Sequence, residues 1–390
     1  MQQSATNLND LQFLALIALC LLASPYLAKL FRLPISVAEL ILGAVLAYFG
    51  LISESENLKL LANIGFYYLM FIAGMEVNLR DLFYIDKGIA KKAFLYISLL
   101  YILSTLIVWI FELSLIFILI MPVMSVGLLT ILFKEFGKKA FWLNTSMLIA
   151  TIAEVVSIIA LTIMGAFLRE NSSLILVAQN IFYLCVFLVL CLLGFKLLGI
   201  LFWWYPQLKI ILMPWEDKNE RDIRFCVAIF ILIIIAMFLT ELEVVLGAFV
   251  AGSFIATFFN HKYDLEYKLS SFGYGFLIPI FFIYIGSTVD LRIVLEYKIL
   301  LKALVLMFAM ILIRFISAMV FVKKLGFLHT ILFTLSHSMP LTLLIATATL
   351  SYSAKLIDEN FYSALILTAL FEALFVMSLI KLIAHFKNSV

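Results

Sequence analysis

The 390 residues are 65% hydrophobic and only 13% charged, with a mean hydropathy of +1.17, which no water-soluble domain tolerates on its surface. The apolar runs are continuous and near the length of a membrane-crossing helix. This excludes a β-barrel, whose strands alternate over about ten positions, and predicts an all-α, multi-pass membrane protein in a lipid bilayer.

Met1 to Asp10 contains no Lys or Arg, and the apolar run that follows is full span length, so the first span is expected to stay in place as a membrane helix. Hydropathy predicts about thirteen transmembrane helices: 11–31, 36–53, 60–78, 93–111, 113–133, 139–168, 173–204, 225–240, 243–260, 272–289, 299–322, 328–350 and 360–384. Cys20, Cys185, Cys191 and Cys226 are scattered through these runs without a Cys-x-x-Cys pair and are read as small buried residues. No glycine-rich nucleotide loop and no cluster with metal-ligand spacing is present, so neither an enzyme nor a cofactor is expected, and no nucleic-acid partner; the energy source is a gradient.

With alternating sides, nineteen Lys and Arg fall on the side of the C-terminus and six on the other. The excess marks the cytoplasm, so the N-terminus is expected outside and the C-terminus inside. The polar connection Pro206 to Arg224 is a cytoplasmic hinge, which prompts a search for two related halves. Glu39-Leu-Ile-Leu-Gly-Ala matches Glu243-Val-Val-Leu-Gly-Ala at an offset of 204, and Gly74-Met-Glu-Val-Asn-Leu-Arg matches Gly286-Ser-Thr-Val-Asp-Leu-Arg at 212. Met121-Pro122 matches Met339-Pro340, and Glu154 matches Glu372, both at 218. The matched spans lie seven apart, an odd number, so the halves run in opposite directions through the membrane. One transporter domain over 1–390 is expected, with inverted repeats at 36–168 and 243–385 joined by linker helices and the hinge at 169–242.

Pro122 and Pro340 each lie inside an apolar span, where proline removes a backbone hydrogen bond and clashes with the preceding turn. Two broken helices are predicted, crossing near the bilayer midplane. Ser125 and Gly127 lie beside the first break, and Ser336, His337, Ser338 and Thr342 around the second, where freed backbone groups need partners.

Glu154 interrupts a long apolar span, and an intramembrane carboxylate needs a reason. Thr151, Glu154 and Ser157 are spaced by three and share a helical face, as do Thr368 and Glu372 at four. Arg314, in the middle of span eleven, needs a carboxylate, Glu154 or Glu372; Lys196 is near enough to a span end to snorkel. Burial disfavours an ionised carboxylate and a guanidinium favours it, so a carboxylate under both influences holds a proton or an alkali cation but not both. That competition is antiport. Hard monovalent cations want oxygen ligands, and Glu154, Thr151, Ser125 and carbonyls freed at the breaks supply them; no metal beyond the transported ion is implied. His337 is either a proton relay or a hydrogen-bonded structural residue, and Glu372, Ser336 and His337 form a secondary site. The rival reading of Glu154 is a buried charge that pairs with another to hold helices together.

With these residues in view, the chain resembles the monovalent cation:proton antiporter superfamily, in the bacterial sodium/proton exchanger branch related to the Kef-type potassium efflux transporters. The resemblance is carried by Leu61 to Leu82, ending in Gly-x-Glu-x-x-Leu, and by Gly273 to Leu291, with Pro-x-Phe-Phe-x-x-x-Gly-x-x-x-Asp-Leu. Gly247-Ala-Phe-Val-Ala-Gly and Ser125 to Gly137 are also similar. The family's sixth span usually carries Asp-Asp, Asn-Asp or Gln-Asp, where this chain has Ala153-Glu154, and its lysine in span eleven is matched by Arg314. The resemblance implies Na+ or K+ exchange for H+ by alternating access in a bacterial inner (cytoplasmic) membrane. It also implies a homodimer and a core of spans four to six and eleven to thirteen that moves as an elevator. One titrating carboxylate and a permanently charged arginine predict electroneutral exchange. The alternatives are an organic-anion or other solute carrier using Arg314, and a non-transporting membrane sensor.

Overall fold

The computed structural model describes residues 2–31, 33–52, 56–76, 86–129, 132, 141–168, 174–214, 219–240, 244–259, 263–289, 291–294 and 296–388. In chain order the helices are α1 (Gln2–Phe31), α2 (Ile35–Tyr48), α3 (Glu56–Met75), α4 (Lys87–Ile110), α5 (Phe117–Ile120), α6 (Phe141–Leu168), α7 (Leu174–Trp204), α8 (Pro206–Leu212) and α9 (Arg221–Leu239). They continue as α10 (Val244–Phe258), α11 (Tyr263–Phe272), α12 (Ile278–Ser287), α13 (Leu291–Val294), α14 (Tyr297–Ala318), α15 (Val322–Leu325), α16 (Phe327–His337), α17 (Leu341–Ser353) and α18 (Glu359–Asn388). Among the described residues there is no strand.

Eight of the described helices are long and apolar enough to cross a membrane, or up to ten if each of two sharply bent pairs is one span; Val244–Phe258 is a shorter apolar helix. The bent pairs are Ala15–Phe31 with Ile35–Tyr48, at 116°, and Phe327–His337 with Leu341–Ser353, at 44°. This count does not reach the expected thirteen. The predicted span 113–133 runs in part through residues outside those described, and what is described of it is broken rather than continuous.

The chain forms two compact units, Met1–Arg80 with Glu170–Leu291, and Asp81–Arg169 with Arg292–Val390. The second unit holds the spans expected to form the core, four to six and eleven to thirteen.

In the first unit α2 packs on α12 and α3 on α10. Glycines allow the backbones to touch: a Cβ on Gly43 would fall on the Ile283 carbonyl, and one on Gly252 on that of Phe71. Gly286 meets the Leu40 carbonyl in the same way, and Gly74 that of Phe249. These contacts are related pairwise, Gly43 with Gly252 and Leu40 with Phe249 at an offset of 209, Gly74 with Gly286 and Phe71 with Ile283 at 212. A two-fold relation produces that pattern. It sets the equivalence of α2 and α10 five residues beyond the match through Glu39 and Glu243, and Glu243 lies outside the described residues. Pro279 shapes α12: it has no N–H to donate to Gly275, so the preceding turn, Gly273–Leu277, widens and the Ile278 N–H bonds the Gly273 carbonyl.

In the second unit α14 packs on α4, α16 and α18, while α6 packs on α4, α5 and α16. Thr368 fastens α18 to α14 by donating to the Ala303 carbonyl at 3.1 Å. Both predicted breaks are present. After α5 the chain is non-helical from Met121 to Val126 and becomes helical again at Gly127. Between α16 and α17 it is interrupted over Ser338, Met339 and Pro340, and the new helix starts with the Leu344 N–H on the Pro340 carbonyl. Ser336 and Ser338 donate back to the carbonyls of Phe333 and Thr334, which supplies partners where the ladder ends.

Candidate functional site

The two breaks meet. Ser125, just past the first, shares a hydrogen bond with Thr342, just past the second. These residues are 217 apart, one short of the repeat offset, so the contact lies where a two-fold axis relating the halves would pass. Gly127 opens the resumed helix; a Cβ there would make only ordinary contacts, 3.8 Å from Ser125 Oγ and 4.0 Å from Thr342 Cγ2.

Glu154 lies on α6 and is fully buried, with Thr151 and Ser157 buried a turn away on either side. The spacing by three keeps all three on one face, as the sequence predicts. Thr151 donates its hydroxyl proton to the Met147 carbonyl at 2.9 Å, so it presents only oxygen lone pairs outward, the form in which a hydroxyl binds a cation.

Arg314 and Glu372 are both fully buried, and Arg314 Nη1 lies 3.5 Å from Glu372 Oε1. Glu372, one of the two carboxylates open to Arg314 in the sequence, is ion-paired with it. Nη2 donates at 2.7 Å to the Val123 carbonyl, directly after Pro122. Arg314 thus sits where the first break frees carbonyls, at the electronegative end of α5.

His337 is buried and bonded at both nitrogens. Nε2 lies 3.0 Å from the Ser146 carbonyl on α6, and Nδ1 2.9 Å from the Tyr96 hydroxyl on α4. Ser336, the other secondary candidate, shares a hydrogen bond with the Ser146 hydroxyl. Tyr96 and Ser146 are absent from the sequence reading. A signal for Tyr96 was there: it stands 218 residues before Arg314, the offset that relates the prolines and the glutamates.

A cavity of about 730 Å³ opens in the first unit between α3 and α9, lined by Lys59, Asn63, Tyr67, Phe230 and Phe238 among others. None of the candidate site residues lines it. No cluster of three or more His, Cys, Asp or Glu able to hold a metal occurs among the described residues. All four cysteines are free thiols; Cys20 and Cys226 are buried as expected, whereas Cys185 is exposed.

A multi-pass helical protein with two proline-broken helices meeting in a unit that also buries two carboxylates and an arginine has the plan of a secondary transporter. The family described as "Sodium/hydrogen exchanger, transmembrane" matches residues 14–384, and the chain belongs to it. It is 28% identical over 386 residues to YjbQ of Bacillus subtilis, an alignment covering 90% of this chain and 59% of that one. The chain therefore spans less than two thirds of that relative. It is 26% identical over 295 residues to the Na(+)/H(+)-K(+) antiporter GerN of Bacillus cereus, covering 72% of each. The structure of the sodium proton antiporter MjNhaP1 from Methanocaldococcus jannaschii at pH 8 superposes with a TM-score of 0.65 over 96% of this chain and 97% of that one, at 16% identity. The fold is shared.

Proposed function

We propose that the protein is a secondary active antiporter that exchanges Na+ or K+ for H+, with Glu154 as the group that proton and cation occupy in turn. The observation that carries this reading is the burial of Glu154 on a face with Thr151 and Ser157, in the unit where the breaks meet at Ser125 and Thr342. Family membership and the names of relatives such as GerN support it.

Glu154 and Glu372 occupy equivalent places in the two halves but have different surroundings. Glu372 has Arg314 beside it. The position equivalent to Arg314 in the first half is Tyr96, a neutral group. Arginine keeps its proton at any working pH, so the Arg314–Glu372 pair is held together by a permanent charge. One carboxylate trading one proton for one monovalent cation is electroneutral. The pairing also weighs against an organic-anion carrier, because Arg314 is committed to Glu372 and the Val123 carbonyl.

Exchange proceeds by alternating access, with inverted repeats at 36–168 and 243–385 and the second unit carrying the site. The chain works as a homodimer in a bacterial inner membrane, N-terminus outside and C-terminus cytoplasmic, with Na+ or K+ and H+ as cargo and no cofactor. The test is reconstitution: liposomes with an imposed pH gradient should lose it when Na+ or K+ is added, without building a membrane potential. A gradient unmoved by Na+, K+ and Li+ would contradict antiport, and a potential would contradict one-for-one exchange.

A further inference from the structure

Tyr96 and Arg314 occupy equivalent places on α4 and α14, 218 residues apart, and each reaches the break of the other half. Arg314 bonds the Val123 carbonyl at the first break, and Tyr96 bonds His337 at the second. The two clamps differ in charge. The first carries a cation matched by Glu372. In the second, Nε2 of His337 faces the Ser146 carbonyl, which only accepts, so Nε2 carries a hydrogen; Nδ1 faces a hydroxyl able to donate. The neutral imidazole with its proton on Nε2 satisfies every partner. An imidazolium there would be a buried cation with no carboxylate bonded to it.

The clamp touches α6 at Ser146, two turns before Glu154 and on the same helix. His337 ends α16, and Ser336 makes a second contact with Ser146. The rings of Tyr96, Phe333 and His337 pack together, with centroids 5.5 Å apart for Tyr96 and His337 and 4.1 Å for Phe333 and His337. Polar bonds therefore fix the broken end of α16 to the helix that carries Glu154, and ring packing fixes it to Tyr96 on α4.

We propose that Tyr96 and His337 form a neutral clamp that positions the second helix break against the Glu154 helix, and that His337 carries no proton through the transport cycle. This rests on the antiport reading above. Tyr96 and His337 are positioning residues: they act through the placement of α6 and α17 relative to each other, and the cation site formed there is what they tune.

The experiment is exchange kinetics in liposomes for wild type, His337→Gln and Tyr96→Phe, with the amount of folded protein measured in each. Glutamine keeps an N–H donor for the Ser146 carbonyl but cannot titrate. His337→Gln is expected to remain active with the wild-type pH profile and, as a positioning variant, to raise the apparent KM for the cation by about fivefold or less. Tyr96→Phe keeps the ring packing and loses one neutral hydrogen bond, and should raise the apparent KM for the cation about fivefold without reshaping the pH profile. A folded but inactive His337→Gln would make His337 a proton carrier and overturn the proposal. Should His337→Gln not fold, Tyr96→Phe decides alone: an unchanged KM, or a reshaped pH profile with lowered kcat, overturns it. Wild type separates this from its premise, because no exchange in wild type contradicts antiport itself, whereas exchange in wild type with a dead glutamine variant contradicts only the clamp.

Discussion

Arg314 donates to the Val123 carbonyl across 2.7 Å, joining the fully buried basic side chain in the C-terminal half of α14 to the carbonyl directly after Pro122. The same guanidinium faces Glu372 at 3.5 Å through a single nitrogen, so the ion pair is not the bidentate kind. One buried cation answers both the end of a broken helix and a carboxylate, which makes it the hub of the second unit.

Removing that cation leaves Glu372 buried without its partner. Arg314→Gln is expected to cost roughly 3–5 kcal/mol, read as a lowered unfolding temperature in detergent. Adding Glu372→Gln should recover most of the loss, since the stranded charge is then gone. A double variant no more stable than Arg314→Gln alone would mean that the pair does not couple.

Among the described residues Glu39, Glu154, Asp222 and Glu372 are buried carboxylates; Asp222 pairs with Lys268 at a helix end, and the other three should not be equivalent in transport. Glu39 accepts from the Ser24 hydroxyl at 3.5 Å in the first unit, a bond that glutamine preserves. Glu39→Gln is expected to exchange cations at close to the wild-type rate, and Glu154→Gln not at all. Loss of exchange in folded Glu39→Gln would place a second proton-handling group outside the second unit.

Glycine substitutions test the packing of the first unit. Gly43→Ala would drive a Cβ into the Ile283 backbone and should cost stability on the scale of an overpacked core, roughly 1–3 kcal/mol or more. Gly194, within α7, has nothing within 4 Å of its would-be Cβ, so Gly194→Ala should be neutral or stabilising by up to about 1 kcal/mol. Equal effects at the two sites would contradict the close approach of α2 and α12.

What the sequence made legible, and what it did not, follows from cost. Pro122, Pro340, Glu154, Glu372 and Arg314 stood out because a ring or a charge in an apolar span is expensive, and expensive residues are seldom accidental. Helical spacing placed Thr151 and Ser157 with Glu154, but it gives a face, not a distance to another helix, so it left both carboxylates open to Arg314. Ser146 raised no signal and Tyr96 only its offset of 218 from Arg314, since a neutral tyrosine or serine is cheap in a membrane helix. The register of α2 against α10 was drawn by the conspicuous Glu39, whereas the close backbone approaches at Gly43 and Gly252 follow an offset of 209.

Competition for one carboxylate fixes the sign of the pH dependence. Lowering the pH fills Glu154 with protons, so the apparent KM for Na+ or K+ should rise as pH falls, by about tenfold per unit once the site is mostly protonated, with the maximal rate at saturating cation maintained. Above that range KM should level off. A KM indifferent to pH across the whole active range would mean that proton and cation do not share a site.

Proton release from purified protein measures that sharing most directly. Adding Na+ or K+ to weakly buffered wild type, at a pH where the site is largely protonated, should release up to about one proton per chain, and the same addition to folded Glu154→Gln should release none. Equal release from both proteins would show that the cation displaces its proton from some other group, and Glu154 would lose its role.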